Sequence, residues 1–198
     1  MKTFGTLLLL AMMMAPLAKA QDGPVFAATG PRIEAGAGYQ YVYTSVPSEN
    51  HIAMNGVLLS GNLDLSQRFG IAAQLGYARN FDAFNSNHTA DLLTYMAGPV
   101  YYPLRNRRMN VYTHLLLGGA RETGVNSSTD GELLLGYVNR FAWAVGGGVQ
   151  YRITRSLGLR VGGDYLHTSF FNPDIKVQGQ SGIRPSASLI YTFGGHGR

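Results

Sequence analysis

The chain of 198 residues has no cysteine, and its lysines are confined to Lys2, Lys19 and Lys176. Without cysteine there is neither a disulfide framework nor a thiolate metal site. Charge is sparse as well. Asp, Glu, Lys and Arg make up 14% of the residues, against roughly 25% in soluble domains. The formal charge of +5 falls to +3 once Lys2 and Lys19 are set aside as part of an N-terminal leader. No basic cluster with interleaved aromatics accompanies it, so a nucleic-acid partner is not expected. Beyond residue 20 no apolar run approaches the ~20 residues that a membrane-spanning helix needs. What is abundant is glycine (26) and tyrosine (12).

Residues 1–20 read as a secretory signal. Lys2 supplies the charged start, Leu7 to Pro16 the apolar stretch, and Ala18-Lys19-Ala20 the small-x-small cleavage site. Cleavage is expected before Gln21, where the lack of a following Cys argues against a lipid anchor. Residues 21–31 would then form a short N-terminal segment, 32–193 one domain, and 194–198 a tail. An exported chain without spanning helices either stays in water or enters a membrane as a closed barrel.

The period of the apolar pattern is two, not 3.6. Arg32 to Thr44 is the clearest case, with Ile33, Ala35, Ala37, Tyr39, Tyr41 and Tyr43 opposed to Glu34, Gly36, Gly38 and Gln40. Similar segments run from Met54 to Leu65, Gly70 to Arg79, Asp91 to Tyr102, Met109 to Arg121, Tyr137 to Tyr151, Leu157 to Thr168 and Gly182 to Phe193. The fourth segment is ambiguous, because Pro99 cannot donate to a strand ladder. Its Leu93, Tyr95, Ala97, Pro99 and Tyr101 are placed on the outward face. Eight such segments, each near the 9–11 residues of a tilted spanning strand, predict an all-β fold, a transmembrane eight-stranded antiparallel up-and-down barrel. Connections alternate in length. Those after odd segments are long (45–53, 80–90, 122–136, 169–181) and those after even segments short (66–69, 103–108, 152–156), as membrane barrels arrange them.

The interior of an eight-stranded barrel is only wide enough for side chains. The large aliphatic and aromatic set is therefore assigned outward, and the small or polar set inward. Aromatics gather near segment ends. Tyr41, Tyr43, Tyr77, Phe141 and Trp143 fall at one rim, and Tyr101, Tyr151, Tyr191 and Phe193 at the other, as girdles at headgroup level would.

The chain resembles the small outer-membrane β-barrel superfamily, the OmpA-like and OmpX-like barrels. The resemblance spans Arg32 to Phe193. It rests on the strand rhythm, on Thr94-Tyr95-Met96-Ala97-Gly98-Pro99, on Asp164-Tyr165, and on the aromatic close Leu189-Ile190-Tyr191-Thr192-Phe193. It implies a Gram-negative outer-membrane protein whose last strand is read by the barrel assembly machinery, although here five residues follow Phe193. A peptidoglycan-binding domain after Phe193 is not expected.

Glu34, Asp64, Arg160, Asp164 and Arg184 fall on inward faces. Glu34, Asp64 and Arg160 belong toward the periplasmic end, Asp164 near the middle and Arg184 at the outer end. Opposite charges in a narrow, dry lumen must pair. The simplest use is a network that plugs the lumen; a gated path for small ions is the alternative. His114 is expected inside this network. The pair His167 and Ser169 resembles the His-x-Ser of lipid A deacylase barrels, with His167 as base and Ser169 as nucleophile, but no Glu follows Ser169 to orient the His and Asp174 is a weak substitute. The Gly146-Gly147-Gly148 run opens no helix and is no phosphate cradle; it suits a curved strand passing large neighbours.

Arginines collect in the short turns and tail, and acids (Glu49, Asp82, Glu122, Asp130, Glu132, Asp174) in the long loops. The expectation is a monomer without cofactor, metal or catalytic role. It would contact phospholipid at the turns and lipopolysaccharide at the loops, and offer four loops to a surface partner.

Overall fold

The computed structural model describes residues 32–45, 51–83, 88–127, 133–169 and 179–193, with side chains at 125–127 and 133–137 left aside. The leader, the 21–31 segment, the tail and most of the long-loop acids lie outside the described residues. Eight strands follow one another: β1 (Arg32–Ser45), β2 (His51–Asp64), β3 (Phe69–Asn80), β4 (Ala90–Arg105), β5 (Met109–Ser127), β6 (Leu133–Arg152), β7 (Leu157–Thr168) and β8 (Gln180–Phe193). Each pairs antiparallel with the next, and β8 returns to β1, so the sheet closes. Closure removes the two unpaired edges that an open sheet would expose.

Two turns at one rim are built alike. In 65–68 the Phe69 amide donates to Ser66 Oγ at 3.0 Å, and in 153–156 the Leu157 amide donates to Thr154 Oγ1 at 3.0 Å. A hydroxyl three residues before the strand thus fixes each reversal. We call this the turn rim and its opposite the loop rim. The strand boundaries differ from the sequence reading mainly in β5 and β6. These pair without interruption from Met109↔Tyr151 to Ser127↔Leu133, so much of the predicted 122–136 loop is a hairpin. That stretch is polar and glycine-bearing, but two strands that pair with each other need no apolar face to remain strands.

The prolines sit where the ladder lapses on one side. Pro99 pairs with Ile71 of β3, while no partner in β5 faces Gly98 or Pro99. Pro185 pairs with Gly163 of β7, and the register to β1 lapses at Arg184 and Pro185. Near Pro103 a bulge between Tyr101 and Leu104 absorbs the missing donor.

The faces are turned as predicted. Tyr39, Leu59 and Leu189 are 52, 50 and 55% exposed, whereas Gln40, Asn62 and Ser188 are 1, 5 and 5% exposed. The outward face of β4 is the assigned one, with Tyr95, Ala97 and Pro99 exposed. The interior departs from expectation in one respect. It is not filled by small and polar groups alone: Val42, Ile52, Met54, Leu92, Leu116, Val138 and Leu166 are buried inside, concentrated toward the loop rim. Runs such as Val57-Leu58-Leu59 and Leu115-Leu116-Leu117 are apolar on both faces, which a strict alternation hides.

Candidate functional site

The lumen holds two polar layers under that apolar cap. The first lies at the turn rim. Arg160 Nη2 donates to Glu34 Oε2 at 2.8 Å and to Gln150 Oε1 at 2.7 Å, and Gln150 Nε2 donates to Glu34 Oε1 at 3.0 Å. Arg32 Nη2 donates to the same Oε1 at 2.5 Å. Turned with its oxygen toward Arg160, the Asn62 carboxamide accepts from Nη1 and Nη2 at 2.8 and 2.7 Å. The Tyr112 ring lies under the Arg160 guanidinium at 5.0 Å. Beside this group Arg105 pairs with Asp64 and lies over Tyr102 at 4.5 Å. Strand order explains the convergence. Glu34 and Arg32 come from β1, Asn62 and Asp64 from β2, Gln150 and Arg160 from the adjoining β6 and β7, and each occupies an inward register position near the turn rim.

The second layer crosses the middle. Arg184, fully buried, donates to Asp164 Oδ2 through Nε at 3.1 Å and Nη2 at 2.5 Å. Its Nη2 also reaches Gln74 Oε1 at 2.5 Å and its Nη1 Thr94 Oγ1 at 3.4 Å. One guanidinium therefore ties β8 to β7, β3 and β4. His114 Nε2 lies 2.9 Å from Asp164 Oδ1, which completes the carboxylate's partners. All five charged residues selected from the sequence are thus inside, and His114 with them. Their heights need one correction: Arg184 is in direct register with Asp164, so it belongs to the middle layer and not to the outer end. β8 starts at Gln180, and the two extra residues before Gly182 lower Arg184 within the strand.

Several members escaped sequence reading. Gln74, Thr94 and Gln150 carry no charge and looked like any inward polar residue. Glycine was a usable signal: Gly146 leaves room for the Asp164 carboxylate, since a Cβ there would strike Oδ1, and a Cβ at Gly162 would strike the Tyr112 hydroxyl. Glu122, read as a loop acid, is instead an inward residue of β5, 2% exposed, and accepts from Gln180 Nε2 of β8 at 3.2 Å. This bond spans the lumen at the loop rim.

On the outside, three tyrosines donate toward the loop rim. Tyr39 bonds Asn55, Tyr77 bonds Asp91 at 3.0 Å, and Tyr95 bonds Asn139 at 2.9 Å. Arg79 clamps Asp91 through Nε at 2.5 Å and Nη2 at 2.9 Å. These polar groups form a row through Asn55, Arg79 and Asp91, and the outward surface between them and the turns is predominantly apolar, with Thr113 an exception whose hydroxyl donates to Gly146 O at 2.9 Å. The predicted rim aromatics Tyr41, Tyr43, Tyr77, Phe141, Trp143, Tyr101, Tyr151, Tyr191 and Phe193 all sit on this outward surface, most of them strongly exposed. His167 lies among them. Its Nδ1 is 2.8 Å from Ser181 Oγ and its ring packs on Trp143 at 5.6 Å. The hydroxyl it engages is that of Ser181, not of Ser169, whose amide donates to Phe141 O at 2.9 Å. No metal-holding group of His, Asp or Glu occurs among the described residues.

A closed barrel greasy outside and ionic inside is the form expected of a protein surrounded by lipid, and comparison agrees. Residues 4–189 match the outer membrane protein beta-barrel domain. The chain belongs to that family. It is therefore a bacterial outer-membrane β-barrel protein. Among solved structures it is similar to neisserial surface protein A, at 16% identity and a TM-score of 0.65, covering 83% of this chain and 99% of that one. It is also similar to the attachment invasion locus protein Ail of Yersinia pestis, solved with the heparin analogue sucrose octasulfate (16% identity, TM-score 0.58, 82% and 99% covered). A third is a major outer membrane protein of Thermus thermophilus (12% identity, TM-score 0.54, 83% and 100% covered). At these identities the likeness is one of fold. No curated protein sequence matches the chain.

Proposed function

We propose that this protein is a sealed, monomeric outer-membrane barrel with a structural or surface-interaction role, exported by the 1–20 leader and presenting its loop rim to the exterior. The observation that carries the reading is the filled lumen. Arg184 crosses the middle with Asp164, Gln74 and Thr94 as partners, and a layer of apolar side chains covers it toward the loop rim. An ion entering from either side would have to leave its hydration shell in that layer, which is a steep barrier. Function then falls to the outer connections, with lipopolysaccharide around the loop rim and phospholipid headgroups near the arginines of the turns. The last strand, closing on Phe193, is the segment for the assembly machinery. A lipid-deacylating role for His167 and Ser169 finds no support, since the imidazole is engaged across the sheet by Ser181.

The test is single-channel recording in planar bilayers. Wild-type protein should give no discrete conductance steps, and a variant in which Met54, Leu92 and Leu166 become serine should conduct. Steady wild-type conductance would remove the sealed reading and favour a narrow ion path. Acyl release from lipid A that disappears in Ser169→Ala would restore the enzyme.

A further inference from the structure

The polar layer at the turn rim does not balance its charges. Among the described residues, four guanidinium groups, Arg32, Arg105, Arg152 and Arg160, face two carboxylates, Glu34 and Asp64. Glu34 is shared by Arg32 and Arg160, and Asp64 is taken by Arg105. Arg152 is left over. It lies two positions beyond the inward Gln150 on β6, half-buried, in the field of Arg32, Glu34, Arg105 and Asp64. Its side chain makes no hydrogen bond or ion pair with a described residue. Two further donors, Arg32 Nε and Arg160 Nε, are buried without an acceptor, and so is one acceptor, Asp64 Oδ1.

This inventory is specific. Two surplus positive charges call for a dianion. Three guanidinium groups with free N–H donors call for several acceptor oxygens, as phosphate offers. A lone unpaired carboxylate oxygen among them calls for one O–H donor on the same ligand. Sulfate has the charge but no hydroxyl, and a phosphodiester has neither the second charge nor the hydroxyl. A phosphate monoester has the second charge only after losing its hydroxyl proton, whereas hydrogen phosphate has both at once. The arginines of the neighbouring turns, Arg68, Arg108 and Arg155, add a potential of the same sign around the opening.

We propose that the turn-rim end of the lumen binds hydrogen phosphate, with Arg32, Arg152 and Arg160 donating to its oxygens and Asp64 accepting from its hydroxyl. The proposal rests on the fold alone and stands whatever the outer loops bind.

The experiment is thermal unfolding of the refolded full-length mature barrel, read as loss of the fast-migrating folded band on unheated gels. It is run in detergent with inorganic phosphate or with sulfate at matched ionic strength, and in vesicles of phosphatidic acid, a monoester, or phosphatidylglycerol, a diester. Phosphate should raise the midpoint by several degrees and sulfate by less. Arg152→Gln should weaken phosphate binding about ten-fold or more, which is the loss of one charge-assisted contact. Arg155→Gln, in the turn outside the lumen, should bind as wild type does, which shows that net charge alone is not responsible. If phosphatidic acid stabilises the barrel and inorganic phosphate does not, the ligand is a lipid headgroup without the hydroxyl that Asp64 requires, and the proposal falls. Equal shifts by phosphate and sulfate, or an Arg152→Gln protein that responds like wild type, would overturn it.

Discussion

Arg184 shows what one residue does in a barrel of this width. A buried guanidinium costs several kcal/mol to desolvate and is tolerated only when its donors are met. Here Asp164, Gln74 and Thr94 meet them. Arg184→Met therefore strands Asp164 and should destabilise the barrel by about 3–5 kcal/mol. Adding Asp164→Leu should recover part of that loss, because the double replacement leaves neither ion of the pair stranded, although His114, Gln74 and Thr94 each lose a partner. Urea unfolding in vesicles, followed by emission of the sole tryptophan, Trp143, measures both; a double variant no better than the single would argue against a paired lumen. Gly146 belongs to the same argument. A methyl at its Cα meets Asp164 Oδ1 and the backbone of the facing strand, so Gly146→Ala should cost about 1–3 kcal/mol in the same assay. The charges of this layer were legible in the sequence because alternation put them on one face. The amides and glycines that complete it were not, since neither residue type announces which neighbour it serves until the register is known.

At the scale of the strand, the deciding feature is the outward surface. Leu189 of β8 lies between Ala37 of β1 and Leu159 of β7 and is more than half exposed. Leu189→Arg should cost about 2–4 kcal/mol near the bilayer midplane and almost nothing near an interface. Arginine at Asn55, in the polar row of the loop rim, supplies the second case. Equal unfolding energies for the two variants would show that the apolar band is not facing lipid. Strand existence and facing were readable from period two because lipid and lumen impose opposite demands on successive residues. The ends of β5 and β6 were not readable. Above the barrel wall no such demand exists, and the β5–β6 pairing still continues past Gly124↔Gly136, from Val125↔Leu135 to Ser127↔Leu133. Gly124 takes a φ of +112° there, a conformation that disfavours side chains.

The whole molecule is asymmetric along its axis, ionic toward the turns and oily toward the loops. The apolar cap and the Glu122–Gln180 bond close the loop end independently of the hairpin above them. Excising residues 125–135 and joining Gly124 to Gly136 should thus leave a barrel that folds, resists heat on gels as wild type does, and conducts no ions. A folded but conducting product would mean that the hairpin, not the cap, is the seal. The inverted facing made the class of the molecule legible from sequence. The division of its interior into halves was not, because inward leucines and methionines look like ordinary strand residues when only alternation is scored.

The hairpin that outlasts its neighbours has a consequence for distance. β6 runs nine residues from Leu133 to Phe141 past Ala142, the partner of the last residue of β7. At about 3.4 Å per residue that is roughly 30 Å of stiff ladder, and a tilt near 40° leaves about 23 Å of it as height. The Ser127 and Leu133 ends of this ladder thus stand about 23 Å beyond the level at which β7 stops, a reach set by backbone pairing.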